Sequence, residues 1–291
     1  MSDQPCVLFV HAHPDDEASK GSATVAKLVD DGVRCVLVCC TGGEAGEVLN
    51  PQIEVPDDPE ALAALRRAEL EDSCAILGFA ELHWLGYRDS GMKDTEHNAH
   101  PGCFAAAEFD EAVGRLVRII RAERPHVLVG YFEDREMYGH PDHVRVHEIT
   151  RAAYDAAADP ARFPEAGEPW RVAKLYEAGF TRRNIEALAD AYDVVGGENP
   201  FREWMLGWQA LGLPEPDPLF RTQIDIGAYL HKRRASLLAH RTQIDPEGFW
   251  MRLTDEQLRA AYPYEDYALV HAHVPVPDDI ETDLLTGLEF S

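Results

Sequence analysis

Positive charge is scarce in this chain: 27 lysines and arginines stand against 52 aspartates and glutamates, a formal net charge of −25 over 291 residues. That balance excludes nucleic acid and anionic membrane as principal partners, because both demand a basic surface. Long apolar runs are also missing; none approaches the ~18 residues needed to span a bilayer. No basic stretch followed by an apolar one opens the chain, as a secretion signal would require. Cysteine is sparse, at six (Cys6, Cys35, Cys39, Cys40, Cys74, Cys103), and none forms a C-x-x-C pair. A disulfide framework is not expected in a chain of this kind, and cysteine in apolar patterns behaves as a small buried hydrophobe. These absences together predict a reduced, cytoplasmic protein with no membrane or nucleic-acid role.

What is present is a recurring alternation of strand and helix. Cys6–Val10 and Val33–Cys40 are short, apolar and valine-rich. Between them Ala18–Asp31 reads as a helix with Ala23, Ala26, Leu28 and Val29 as its buried stripe. Pro59–Leu77 and Phe109–Glu123 are further helices, Leu82–Tyr87 and His126–Gly130 further strands. A helix begins at Pro141 and runs to about Ala157, and Val172–Phe180 is a fifth strand. The pattern predicts an α/β fold: a Rossmann-like, doubly wound, mostly parallel sheet with helices on both faces. Residues 1–180 form the expected metal-binding core, and residues 181–291 an elaboration of the same domain. Within that elaboration, 181–220 reads as irregular, a lid or insertion, Thr222–Ile226 as an edge strand, Tyr229–Gln243 as a helix and Asp266–His271 as a strand.

The chemistry concentrates in the loops that follow strands, where ligand sites of such sheets lie. The first strand runs into His11-Ala12-His13-Pro14-Asp15-Asp16-Glu17. Three successive carboxylates at the mouth of a core strand satisfy no packing need and call for a cation or a proton. His13 and Asp16 are three apart, so a helix begun by Pro14 turns both toward one face. His140 and His143 repeat the spacing around Pro141 and Asp142. Imidazole and carboxylate at this spacing suit a divalent metal such as Zn²⁺, and no cysteine lies in these loops to close a structural site. A lone histidine is more often a hydrogen-bonded structural residue, and His140-Pro141-Asp142 alone could be an acidic helix start. Two H-P-D segments, each following a strand of one sheet, fit neither reading. The small helical co-chaperone domains that also carry H-P-D lack this α/β context.

Together, His11–Glu17 and Tyr138-Gly139-His140-Pro141-Asp142-His143 resemble the PIG-L/LmbE family of zinc-dependent N-acetylglucosaminyl deacetylases and amidases. The resemblance spans nearly the whole chain and is nearest to the mycothiol enzymes of that family. It implies metal ligation by His13, Asp16 and His143, with Zn²⁺ the expected ion and Fe²⁺ compatible with the same ligands. It implies Asp15 as the general base and His140 as the group that stabilises the oxyanion or protonates the leaving amine. Asp142 then matches the partner orienting His140, and Tyr138 a residue polarising the scissile carbonyl. Arg66, Asp89 and Glu47 match contacts to substrate hydroxyls. Lys20, one turn past the ligands, could meet an anionic group on the substrate. His11 and Glu17 are expected to support the ligands from behind.

Segments of the chain divide between two activities. Lys20, Gly46–Pro51, Arg162–Trp170 and Thr242–Pro246 are similar to the amidases that cleave mycothiol S-conjugates. Arg88–Met92 and Glu281–Leu288 are similar to the N-acetyl-glucosaminyl-inositol deacetylases. The balance implies an amidase acting on a small amino-sugar thiol conjugate, with the deacetylase, or a related metabolite deacetylase, as the alternative. The sequence sets no oligomeric state. One departure stands out: Glu133-Asp134-Arg135-Glu136-Met137 replaces the glycine-rich segment usual before the second motif, which bears on substrate choice.

Overall fold

The computed structural model describes residues 4–55, 58–133, 135–214 and 217–290. In chain order the elements are β1 (Cys6–His11), α1 (Asp16–Ser19), α2 (Ser22–Asp30), β2 (Arg34–Thr41), α3 (Pro59–Leu77), β3 (Glu81–Tyr87), α4 (Phe109–Glu123), β4 (Val127–Tyr131), α5 (Pro141–Ala158), β5 (Lys174–Ala178), α6 (Arg182–Val195), α7 (Pro200–Leu211), β6 (Thr222–Asp225), α8 (Leu230–Ala239), α9 (Phe249–Arg252), α10 (Asp255–Ala261) and β7 (Tyr264–Ala272). The strands form a seven-stranded sheet ordered β3-β2-β1-β4-β5-β7-β6. The first five are parallel. β7 and β6 join antiparallel. The α/β sheet predicted from the alternation is therefore present, and its strand order reverses between β1 and β4, where open α/β sheets bind ligands.

Because successive side chains of a strand point to opposite faces, each core strand feeds two cores. Leu8, Val10, Val36, Val38 and Leu128 pack under Val113, Leu116, Val117 and Ile120 of α4 and Val146 and Ile149 of α5. Val7, Phe9, Leu37, Cys39 and Val129 face the other way, onto Leu28 of α2 and Leu70 and Leu77 of α3. Strands covered on both faces read as continuous apolar runs, which is how they look in the sequence. All six cysteines are buried with free thiols. No helix among the described residues is long and apolar enough to cross a membrane.

Three expectations need correction. The helix read over Ala18–Asp31 is two helices, broken where Gly21 takes φ +89°; a Cβ there would sit 3.1 Å from the Tyr267 hydroxyl. Residues 181–220, read as irregular, contain α6 and α7. Thr181 and Asn199 cap them, accepting from Asn184 N–H and Arg202 N–H, and Pro200 opens the second. Ile185, Ala189 and Tyr192 recur at helical spacing and bury against Phe201 and Leu253. The helix expected to reach Gln243 stops at Ala239, because Thr242 is drawn off to the buried Glu69, donating N–H at 3.0 Å and its hydroxyl at 2.7 Å.

Candidate metal centre

β1 and β4 end side by side, and their loops bring the two H-P-D segments together. Thr41 N–H donates to the Ala12 carbonyl at 2.9 Å, and Ala12 N–H donates to the Tyr131 hydroxyl at 3.1 Å. Neighbouring strands thus fix the end of β1 on both sides. His11 closes the same contact, its Nδ1 2.9 Å from the Tyr131 hydroxyl. The ligand atoms offered by His13, Asp16 and His143 all lie within 4.8 Å of one another. His143 Nε2 is buried with no hydrogen-bond partner, although Asp16 Oδ1 is only 3.3 Å away. A buried polar atom is normally satisfied, so an orphan aimed at a carboxylate and a second imidazole is what a metal ligand looks like without its metal.

The electrostatics agree. Burial alone disfavours protonated His13, yet Asp89, Asp142 and Asp16 hold its pKa well above the usual histidine value. The position is built to stabilise positive charge. Burial also opposes ionisation of Asp16, but Lys20 holds its carboxyl well below the ordinary range. Lys20 Nζ donates to Asp16 Oδ1 at 2.8 Å. The lysine read as a substrate contact is therefore engaged with the Asp16 carboxylate, while still lining the cavity over the site. Burial takes His143 down to about 3.

Asp15 stands beside this cluster in an unusual backbone state, φ +101°. Left-handed aspartate is tolerated because its short polar side chain finds local partners. Here Glu17 Oε2 accepts from Asp15 N–H at 3.0 Å, and Arg66 holds both the turn and the carboxylate. The buried Arg66 donates to the Pro14 carbonyl at 2.7 Å, the Gly43 carbonyl at 2.8 Å and Asp15 Oδ2 at 3.2 Å. Gly43, at φ +72°, leaves the room for it; a Cβ there would strike the guanidinium. Burial raises the pKa of Asp15, Arg66 lowers it and Asp16 raises it again, with a net rise.

His140 caps α5, its Nδ1 accepting from Asp142 N–H at 3.2 Å. The carboxylate of Asp142 goes elsewhere: it accepts from Ser90 N–H at 2.9 Å and from the Ser90 hydroxyl, and lies 3.2 Å from His13 Nε2. It meets His140 only through its backbone. Asp89 is buried, its Oδ1 taken by Gly91 N–H at 2.8 Å and 3.4 Å from His13 Nε2. Tyr138 is 48 % exposed, with its ring 5.0 Å from that of His143. Glu47 is exposed and contributes its carbonyl, which accepts from Gln243 Nε2 at 2.9 Å. Of the charged segment before Tyr138, Asp134 lies outside the described residues; Arg135 is paired with Glu133 and Glu148.

The sequence reading missed the residues behind Glu17. Glu17 Oε1 accepts from His240 Nε2 at 2.6 Å and from Ser73 Oγ at 2.5 Å, and Ser236 Oγ lies 2.7 Å from Ser73. All are buried. Burial works against His240 protonation, but Glu17 outweighs it and raises the His240 pKa. Burial likewise works against Glu17 ionisation, and His240 reverses it, leaving Glu17 lowered. The raised histidine stabilises the fold below its unfolded pKa of 6.5 and ceases to as pH climbs through its folded value. The lowered carboxylate stabilises above 4.5 and ceases to as pH falls through its folded value. We expect His240→Gln to cost about 3 kcal/mol, as breaking a buried pair does. Urea unfolding of wild type and variant across pH should show the largest gap between about 4.5 and 6.5. A gap independent of pH would show that the pair is not ionised.

A family model described as GlcNAc-PI de-N-acetylase, PIG-L, matches residues 8–154. The mycothiol S-conjugate amidase of Streptomyces coelicolor is 39% identical over 296 residues, covering 99% of each chain. The 1D-myo-inositol 2-acetamido-2-deoxy-alpha-D-glucopyranoside deacetylase of Geodermatophilus obscurus is 39% identical over 292 residues, covering 97% of each. Among solved structures, the N,N'-diacetylchitobiose deacetylase from Pyrococcus horikoshii shares the fold, with a TM-score of 0.62 and 18% identity over 92% of this chain and 84% of that one.

Proposed function

Since the chain belongs to the PIG-L family, we propose that it is a zinc-dependent amidase that hydrolyses the amide of mycothiol S-conjugates, releasing the amino sugar and the S-substituted acylcysteine. The observation that carries the hydrolytic reading is the convergence of His13, Asp16 and His143 around the orphaned Nε2, with Asp15 open beside them. Those three residues would hold the ion. When bound there, zinc supplies Lewis acidity, drawing the pKa of water toward ~7 and polarising a carbonyl.

The chain's own residues supply the rest. Asp15, raised above an ordinary carboxylate, takes the proton of the attacking water and returns it to the leaving amine. Arg66 and Glu17 hold it in position. His140 is pushed down to about 4 by burial and by His13, so it is neutral at pH 7. Because its Nδ1 accepts from Asp142 N–H, the ring proton sits on Nε2, where it donates to the developing oxyanion. Between the two roles implied by resemblance, a ring neutral at pH 7 supports oxyanion stabilisation over protonation of the amine. Tyr138, half exposed in the cavity lining, is the residue we assign to polarise the same carbonyl.

The choice of substrate is supported by the Streptomyces relative, whose name is that of an S-conjugate amidase. Two separate amidase-like segments also meet at the cavity rim: Leu49 N–H donates to the Thr242 carbonyl at 2.8 Å, and Leu49, Gln243 and Ile244 line the cavity. Side-by-side turnover of a mycothiol S-conjugate and the N-acetylated glucosaminyl-inositol tests it. We expect kcat/KM to favour the conjugate by about tenfold or more. Chelation should abolish both activities and Zn²⁺ restore them. Preference for the acetylated sugar would establish the deacetylase instead.

A further inference from the structure

The cavity over the metal centre has a volume of about 1150 Å³, more than a drug-sized ligand requires. Asp15, Asp16, Lys20 and His143 line part of it. Much of the remaining lining is apolar and aromatic, built from parts that the reaction does not use. Trp204 and Trp208 of α7, Phe180 beyond β5, and Phe249 and Trp250 of α9 form its wall, all half-buried. Phe180 meets Trp204 edge-on at 5.2 Å. The wall is continuous with the catalytic loop: Met137, next to Tyr138, lines the cavity and lies 3.6 Å from where a Cβ on Gly207 of α7 would be. An acetyl group would leave this wall without a partner.

The charges in the lining select further. Glu133, Glu136, Glu203, Glu265 and Asp266 line the cavity. The cations near them are engaged: Arg135 pairs with Glu133 and Glu148, Arg183 with Asp266 at 3.0 Å, and Arg151 donates to Glu177 at 2.7 and 3.0 Å. An anionic group would meet net negative charge here, whereas a neutral or cationic ring would stack on indole faces.

Resting on the amidase reading, we propose that the α7–α9 aromatic wall is the subsite for the S-substituent on the acyl side of the scissile amide, and that it takes a neutral or cationic aromatic group. The test uses metal-loaded enzyme and three conjugates differing only at sulfur: S-methyl, S-benzyl and S-(4-carboxybenzyl), with the N-acetylated amino sugar alongside. We expect kcat/KM for benzyl to exceed that for methyl by about tenfold or more, and carboxybenzyl to fall below benzyl by a similar factor. Trp208→Ala should lower the benzyl value at least about fivefold more than the methyl value. Should that variant fail to fold, the wild-type comparison decides alone. Equal turnover of benzyl and methyl, or a parallel loss of both in Trp208→Ala, overturns the subsite. Turnover of the acetylated sugar with none of any conjugate overturns the amidase reading itself, and the subsite with it.

Discussion

Asp15→Asn is expected to lower kcat/KM by about 10³-fold while leaving metal content unchanged. The substitution removes a proton acceptor and little else. Asparagine tolerates the left-handed backbone that Asp15 adopts at φ +101°. Its N–H still reaches Glu17 Oε2, and its amide oxygen still accepts from Arg66 Nη2. None of the three ligand side chains is touched. The loss should therefore fall on kcat with the substrate Kd nearly constant, and the far-UV spectrum should match wild type. Metal analysis and steady-state kinetics on the same preparation make the check. Activity within a few-fold of wild type would remove Asp15 from the proton-transfer role.

The candidate metal cluster was legible in part because its chemistry is local. A histidine and an acid three apart just after a strand, and the same spacing at His140 and His143, marked the two loops, while the choice of His13, Asp16 and His143 came from the family resemblance. Also legible were α3 and α4, whose bounds Pro59–Leu77 and Phe109–Glu123 coincide with the expected ones. What escaped was long-range and polar. His240 lies 223 residues from Glu17 and Thr242 lies 173 from Glu69, and nothing in either neighbourhood marks the partner. Arg66 was readable as important, but which groups its guanidinium would take was not; it spends its bonds on Pro14, Gly43 and Asp15. Asp142 was expected to orient His140, whereas its carboxylate is directed at Ser90 and His13. Side-chain direction at a helix start depends on the cap, and here His140 itself is the cap. At α6 and α7 the prolines of this stretch masked a clear helical spacing.

Asp15 is gripped from three elements: through its amide by Glu17 of α1, through its carboxylate by Arg66 of α3, and through Glu17 by His240 at the end of α8. Holding a carboxylate at a strained turn needs over-determination of this kind. The proposed ligands, by contrast, are left with an unspent valence at His143.

That unspent valence leads to the second large effect. His143→Ala should reduce metal binding to background and activity by at least about 10³-fold, since only two of three ligands remain. The stability signature separates ligation from structure. In wild type, metal bound only by the folded state adds RT ln(1 + [L]/Kd), about 4 kcal/mol at a thousandfold excess over Kd. The variant should gain almost none of this. Without metal the two proteins should differ far less, because the alanine forfeits ring contacts with Tyr131, 4.7 Å away, but also removes a buried nitrogen that had no partner. Thermal melts with chelator and with added Zn²⁺, run on both proteins, measure the four values required. An equal rise in melting temperature on adding Zn²⁺ to the variant would mean that His143 is not a ligand.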